Sequence, residues 1–181
     1  MGGVSVQQLR KASTKYSEHK SLGPDAVESS FLNALPDQVL VFLVGMFRIV
    51  GCRGAWPAFL RQVYMALLPK PDGGVRTVGK TCMLYRMWAR MRFPVTRAWE
   101  RQRMPDWDKA KAKSSAGDAG YARALLAEAA VNNGQHVACQ LWDFKQFFDR
   151  MSTSMLVSCA VAQQFRMQDF RLAVQVHVGP R

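Results

Sequence analysis

The sequence predicts an α+β chain that is mostly helical, with one β-hairpin and an incomplete sheet. Three observations predict it. A strongly apolar stretch over residues 39–50 sits among helix-compatible flanks. An apolar run of strand length, 63–68, and a short strand of alternating character, 75–78, bracket Pro69-Lys70-Pro71-Asp72-Gly73-Gly74, a segment dense in turn formers. One further apolar run of strand length, 136–143, has no second strand near it in sequence, so its partners must be sought elsewhere.

Residues 6–50 read as helical, broken at Gly23-Pro24-Asp25, where Pro24 or Asp25 can open the next helix. Pro36-Asp37 starts a second, apolar helix that runs to about Val50 and is stopped by Gly51 and Gly54. Trp56-Pro57 opens a short approach segment, and the hairpin follows. A long basic and aromatic helix is predicted over 83–103, kinked at Pro94. Residues 109–116 read as a loop. A helix over 120–132 carries Leu125, Leu126 and Ala129 on one face and stops at Gly134. The run 136–143 reads as a buried strand, and 155–166 and 170–178 as helices.

The chain has 181 residues, with 25 Lys plus Arg against 13 Asp plus Glu, a formal net charge of +12. An excess of that size suits an anionic partner, nucleic acid first, although a solvated basic face would read the same way. Cys52, Cys82, Cys139 and Cys159 form no close pair, and His19, His136 and His177 do not cluster with them. That argues against a zinc site or a disulfide framework and for free thiols in a reducing, intracellular setting. The first 20 residues lack the apolar core of a signal peptide. The apolar stretch 39–50 is shorter than the roughly 20 residues of a membrane span and is interrupted by Arg48, so no membrane association is expected.

Three segments carry potential chemistry. In Leu141-Trp142-Asp143-Phe144-Lys145-Gln146-Phe147-Phe148-Asp149-Arg150 an apolar strand would deliver the Asp143 carboxylate at its carboxyl end. Mg²⁺ keeps waters and takes few protein ligands, so one aspartate per motif is enough in a two-metal site whose carboxylates stand on a rigid sheet. The plainer reading makes Asp143 a helix cap and Asp149 a surface charge. In the hairpin, Lys70 and Arg76 would face each other near the tip, where a point charge and a guanidinium fork could clamp a triphosphate; a solvated tip is the alternative. The loop has no GxxxxGK[ST] pattern and is not a P-loop. In Tyr85-Arg86-Met87-Trp88-Ala89-Arg90-Met91-Arg92, cations alternate with aromatic and apolar residues. That pattern suits phosphate contacts and base stacking by Arg86, Arg90 and Arg92, or an amphipathic helix with its arginines in water.

In order and spacing these segments resemble the reverse transcriptases of non-LTR retrotransposons and group II introns, and the resemblance covers most of the chain. Lys20-Ser21-Leu22-Gly23-Pro24-Asp25 is similar to the "K-x-x-G-x-D" element ahead of the fingers, and residues 68–79 to the fingers hairpin "PK-x-x-G-x-R-P-I". Tyr85-Arg86-Met87-Trp88 falls where the family has a "YR-x-W"-like helix, and residues 141–150 resemble palm motif A, "D-x-x-x-A-F-D". The resemblance implies the fingers and a partial palm of a right-hand polymerase. Residues 1–62 would be a helical extension and the start of the fingers, 63–133 the fingers, and 134–181 a partial palm. The implied activity is RNA-directed DNA polymerisation, with two Mg²⁺ ions, deoxynucleoside triphosphates, an RNA template and a DNA primer. Asp143 would be the catalytic metal ligand, the Phe144 carbonyl a second ligand, and Phe148 the steric gate against a 2′-hydroxyl. Lys70 and Arg76 would hold the triphosphate.

The sequence departs from that pattern in three places. Thr77-Val78 replaces the usual Pro-Ile, Phe147 stands where the family has a small residue, and the "[YF]-x-D-D" motif with its further carboxylates is not found. A polypeptide of these residues is therefore expected to be a truncated, inactive enzyme. The competing readings are a non-catalytic, basic nucleic-acid-binding remnant of such a polymerase, and a helical interaction protein that is basic by accident.

Overall fold

The computed structural model describes residues 4–17, 21–105, 107–110, 114–140, 142 and 151–179. It is an α+β chain, mostly helical, with a two-stranded antiparallel sheet. The chain divides into two compact units, Met1–Thr96 with Val157–Arg181, and Arg97–Leu156.

The first unit opens with α1 (Val6–Ser13), started by a capping box in which the Ser5 hydroxyl accepts from the Gln8 N–H at 3.2 Å and the Gln8 side chain accepts from the Ser5 N–H at 3.1 Å. The helix expected at Pro24 or Asp25 begins later, as α2 (Ser29–Ala34). Two local features delay it. Ala26 has a positive φ of 50°, which no helix contains, and the Asp25 carboxylate is turned instead toward the start of a different helix. Next comes α3 (Asp37–Arg53), preceded by Pro36 as expected; Gly51 lies inside it, and Gly54 ends it in the left-handed region at φ 62°. Arg10 ties α1 to this region, donating to Asp37 at 2.8 Å, to the Asn33 carbonyl at 3.1 Å and to the Leu35 carbonyl at 2.7 Å.

A 3₁₀ turn, Ala58–Arg61, leads into β1 (Val63–Pro69) and β2 (Val75–Thr81). The strands pair from Val63↔Thr81 to Pro69↔Val75. The loop closes with the Lys70 N–H on the Gly74 carbonyl at 2.7 Å, and Gly73 supplies the positive φ, 81°, that the turn requires. Then α4 (Met83–Arg103) begins, carrying Pro94 inside it as predicted. The first unit is completed by α7 (Met167–His177).

Phe47 and Leu40 of α3, Leu60, Met83 and Met87 of α4, and Leu172 and Val176 of α7 are all essentially inaccessible to water and form one core. Burial of each side chain of this size stabilises the fold by roughly 1.5–3 kcal/mol. Trp56 sits at its centre, edge-on to Phe47, Tyr85 and Trp88 at centroid distances of 6.3, 5.8 and 5.4 Å. Its indole N–H donates to the Leu172 carbonyl at 3.0 Å. Gln175 clamps the same turn, accepting from the Trp56 N–H at 3.0 Å and donating to the Gly54 carbonyl at 2.7 Å. α7 is thus fixed by apolar packing and by polar groups that leave little freedom of register.

The second unit holds α5 (Ala116–Asn132), and α6 (Thr153–Ala162) starts within it. Ser115 and Asp118 form a second capping box at α5, and Gly134 follows the helix at φ 73°. No residue of α5 is buried, and Leu125 and Leu126 are exposed. The buried strand expected over 136–143 is not present in its described residues. Residues 136–140 and 142 lie outside any strand and are exposed. The described residues of this segment pair with no strand, and an unpaired strand cannot satisfy its own N–H and C=O groups away from water.

Candidate nucleotide and nucleic-acid interface

The hairpin projects its tip into solvent. Only its base is covered, at Val63, and every residue from Leu67 to Val78 is exposed apart from Gly74. Arg76 pairs with Leu68, and Lys70 stands opposite Gly74, so the two cations are not directly across from each other. Strand alternation puts Arg76, Leu68 and the position two residues beyond Leu68, Lys70, on the same side, in a diagonal relationship. Diagonal partners are about 7–8 Å apart at the backbone, within reach of two long side chains converging on one polyphosphate. Asp72 accepts from the Gly74 N–H at 3.1 Å, and so serves the turn. Lys80, four pairs below Arg76 and on the same side by strand alternation, extends the cationic side toward the base.

The base of the hairpin is where the Gly23-Pro24-Asp25 element acts. A Cβ on Gly23 would lie 2.2 Å from the Thr81 carbonyl oxygen and 3.0 Å from the Cys82 Cα. Only glycine lets the two backbones come this close. Asp25 accepts from the Leu84 N–H at 3.1 Å, placing its charge at the amino end of α4. The element therefore joins the hairpin to the helix that follows it. The sequence marks these residues as a break between helices and as part of a pattern, but not this contact, which spans 59 residues. Cys82, buried beside Asp25, has its thiol pushed above the ordinary range by burial and then by the Asp25 charge.

On α4 the three arginines differ. Arg86 and Arg90 are four residues apart, on one side of the helix. Arg86 donates to the Ser21 carbonyl at 3.0 Å; Arg90 donates to the Lys15 carbonyl at 3.3 Å and lies 5.2 Å from the Tyr16 ring centroid. Tyr16 in turn donates to the Arg86 carbonyl at 3.1 Å. Among the described residues each guanidinium makes one hydrogen bond, out of five N–H groups, which leaves both forks with donors for an anion. Burial raises the Tyr16 pKa, opposed by the charges of Arg90 and Arg86. Arg92 points elsewhere. It makes a two-pronged pair with Asp169, 3.0 and 2.9 Å, with both side chains 11% exposed. Its fork is occupied by α7, and Tyr85 and Trp88 are core residues with no face free for a base.

Asp143, Phe144 and Phe148, the residues the resemblance assigns to metal binding and to the sugar gate, lie outside the described residues, as do Phe147 and Asp149. Among the described residues no group of three or more His, Cys, Asp or Glu side chains could hold a metal ion. No helix among them is long and apolar enough to cross a membrane. No protein-family model matches the chain, and no curated protein matches it.

Proposed function

We propose that this chain carries the fingers and the first palm motif of an RNA-directed DNA polymerase. The observation that carries the reading is the placement of Lys70 and Arg76 on one side of an exposed hairpin that leads, through Cys82, into a helix presenting Arg86 and Arg90. A triphosphate would meet the hairpin cations, and the phosphates of a template strand would meet Arg86 and Arg90. Two Mg²⁺ ions would be held in part by Asp143 and the Phe144 carbonyl, and Phe148 would exclude a ribose. The test is binding of a fluorescent deoxynucleoside triphosphate by the chain and by Lys70→Ala and Arg76→Ala. Each substitution is expected to weaken binding about tenfold or more, the effect of losing one charge-assisted hydrogen bond. Equal binding by all three proteins overturns the triphosphate assignment, and RNA binding without triphosphate binding points to the non-catalytic remnant instead.

A further inference from the structure

The helix α3 is apolar on two sides. Leu40, Val44, Phe47 and Val50 face the core and are buried. The opposite side carries Phe42, 78% exposed, with Val41 and Ile49 each 56% exposed. Gln38, Phe42, Gly45, Ile49 and Arg53 recur at intervals of three and four residues, so they form one stripe along the helix. An open groove of about 760 Å³ runs beside this stripe, lined by Phe42, Gly45, Met46, Ile49, Arg53 and Pro57. Midway along it, a Cβ on Gly45 would meet nothing within 4 Å. A helix that is apolar all round belongs inside an assembly, yet one apolar side of α3 stands in water.

We propose that this side of α3 docks against the same side of α3 in a second copy of the chain, antiparallel, about a two-fold axis passing between Gly45 and Met46. The stripe is complementary to itself in that arrangement. Phe42 and Ile49 stand equally far from the axis, so Phe42 of each copy meets Ile49 of the other. Gln38 and Arg53 are also equally far from it, so each Arg53 guanidinium can donate to the Gln38 side chain of the other copy. Both side chains are exposed, and among the described residues neither has a hydrogen bond or ion pair. The charges favour the same direction. Asp37, its side chain 67% exposed beside Arg10, opens the helix, and Arg53 ends it. Antiparallel pairing brings unlike charges and unlike helix-dipole ends together at both ends, whereas parallel pairing sets like against like. The bare backbone at Gly45 lets the helices close at the crossing, where axes about 8–10 Å apart are usual. The proposal is independent of the polymerase reading, since Lys70, Arg76, Arg86 and Arg90 all lie on other elements.

Each copy carries a net charge of +12, so the two repel one another, and salt screens that repulsion. Sedimentation equilibrium of the full chain, from about 1 to about 200 µM because one helix pair makes a small interface, should show a reversible monomer–dimer equilibrium. It should tighten as NaCl rises from about 0.1 to about 0.5 M, the opposite of RNA binding. Phe42→Glu and Gly45→Leu should each raise the dissociation constant about tenfold or more. Gly45→Leu puts its side chain into open space in the single copy, so the melting temperature of the monomer should not fall. Gln38→Arg sets two cations together at each end and should weaken the dimer; adding Arg53→Glu to it should restore the parent's affinity. A chain that stays monomeric throughout, a dimer indifferent to Phe42→Glu or Gly45→Leu, or a double variant no tighter than Gln38→Arg overturns the proposal.

Discussion

Arg92 on α4 and Asp169 on α7 grip each other through two parallel hydrogen bonds, 3.0 and 2.9 Å, in a setting nearly closed to water. Removing one partner leaves the other's charge desolvated and alone, which typically costs about 3–5 kcal/mol. Asp169→Ala is therefore expected to destabilise the chain by about 3 kcal/mol in urea unfolding. Replacing both residues with apolar ones of similar volume should recover most of that loss. A double variant no more stable than Asp169→Ala would show that the pair contributes more than its absence of unpaired charge.

Tyr85 gives an alkaline limit to stability. Burial raises its pKa from 10.0 to about 12. Between these values the unfolded chain releases the phenolic proton while the folded chain retains it. The stabilisation is complete below pH 10 and is lost as pH rises toward 12, a change on the order of 3 kcal/mol. Tyr16 acts in the same direction. Denaturant titrations across that range should show the decline, and Tyr85→Phe should flatten most of it. A parallel decline in Tyr85→Phe would assign the effect to other groups.

Gly23→Ala should be poorly tolerated, because its new methyl would meet the Thr81 backbone, which no side-chain rotation can move aside. A loss of roughly 2 kcal/mol is expected, within the range of overpacked sites. Hydrogen exchange should also rise at the hairpin base, Val63 and Thr81 first. A melting temperature within a degree of the parent's would mean that the approach relaxes freely.

Arg86→Ala and Arg90→Ala should each weaken RNA binding and reduce the log–log salt slope by about 1, the signature of one lost phosphate contact. Arg92→Ala should instead lower stability and leave the slope unchanged, because its fork already serves Asp169. A slope reduced in Arg92→Ala, measured where that variant is fully folded, would return Arg92 to the interface.

A polypeptide of these 181 residues is expected to bind RNA without extending a primer. Two divalent ions need several protein carboxylates around them, and the resemblance assigns only Asp143 to that role in this sequence. Primer extension with Mg²⁺ is the measurement; templated synthesis by this polypeptide would show that the carboxylate count is wrong.

What could be read from the sequence was what its neighbours in sequence decide. The hairpin follows from Pro69 to Gly74, and the limits of α3 follow from Pro36 and Gly54, because turn chemistry and helix stops act over a few residues. Lys70 and Arg76 were found on the same account, although their diagonal offset needed the strand register. Long-range decisions were not legible. Nothing near Arg92 announces Asp169, 77 residues away, and an amphipathic pattern cannot tell an arginine facing water from one facing a carboxylate. The run 136–143 has the composition of a buried strand, but a strand exists only where another pairs with it.

The clamp between Trp56 and α7 has a consequence for synthesis on the ribosome. The indole's acceptor, Leu172, follows it by 116 residues. At typical elongation rates that interval lasts roughly 6–23 s, during which the aromatic centre of the first unit has no lid. Helix formation and hairpin closure finish within about 10 µs, so the amino-terminal pieces are ready long before they can be sealed. Late docking of the last helix, and not assembly of the earlier elements, sets when this unit becomes resistant to proteases and chaperones in the emerging chain.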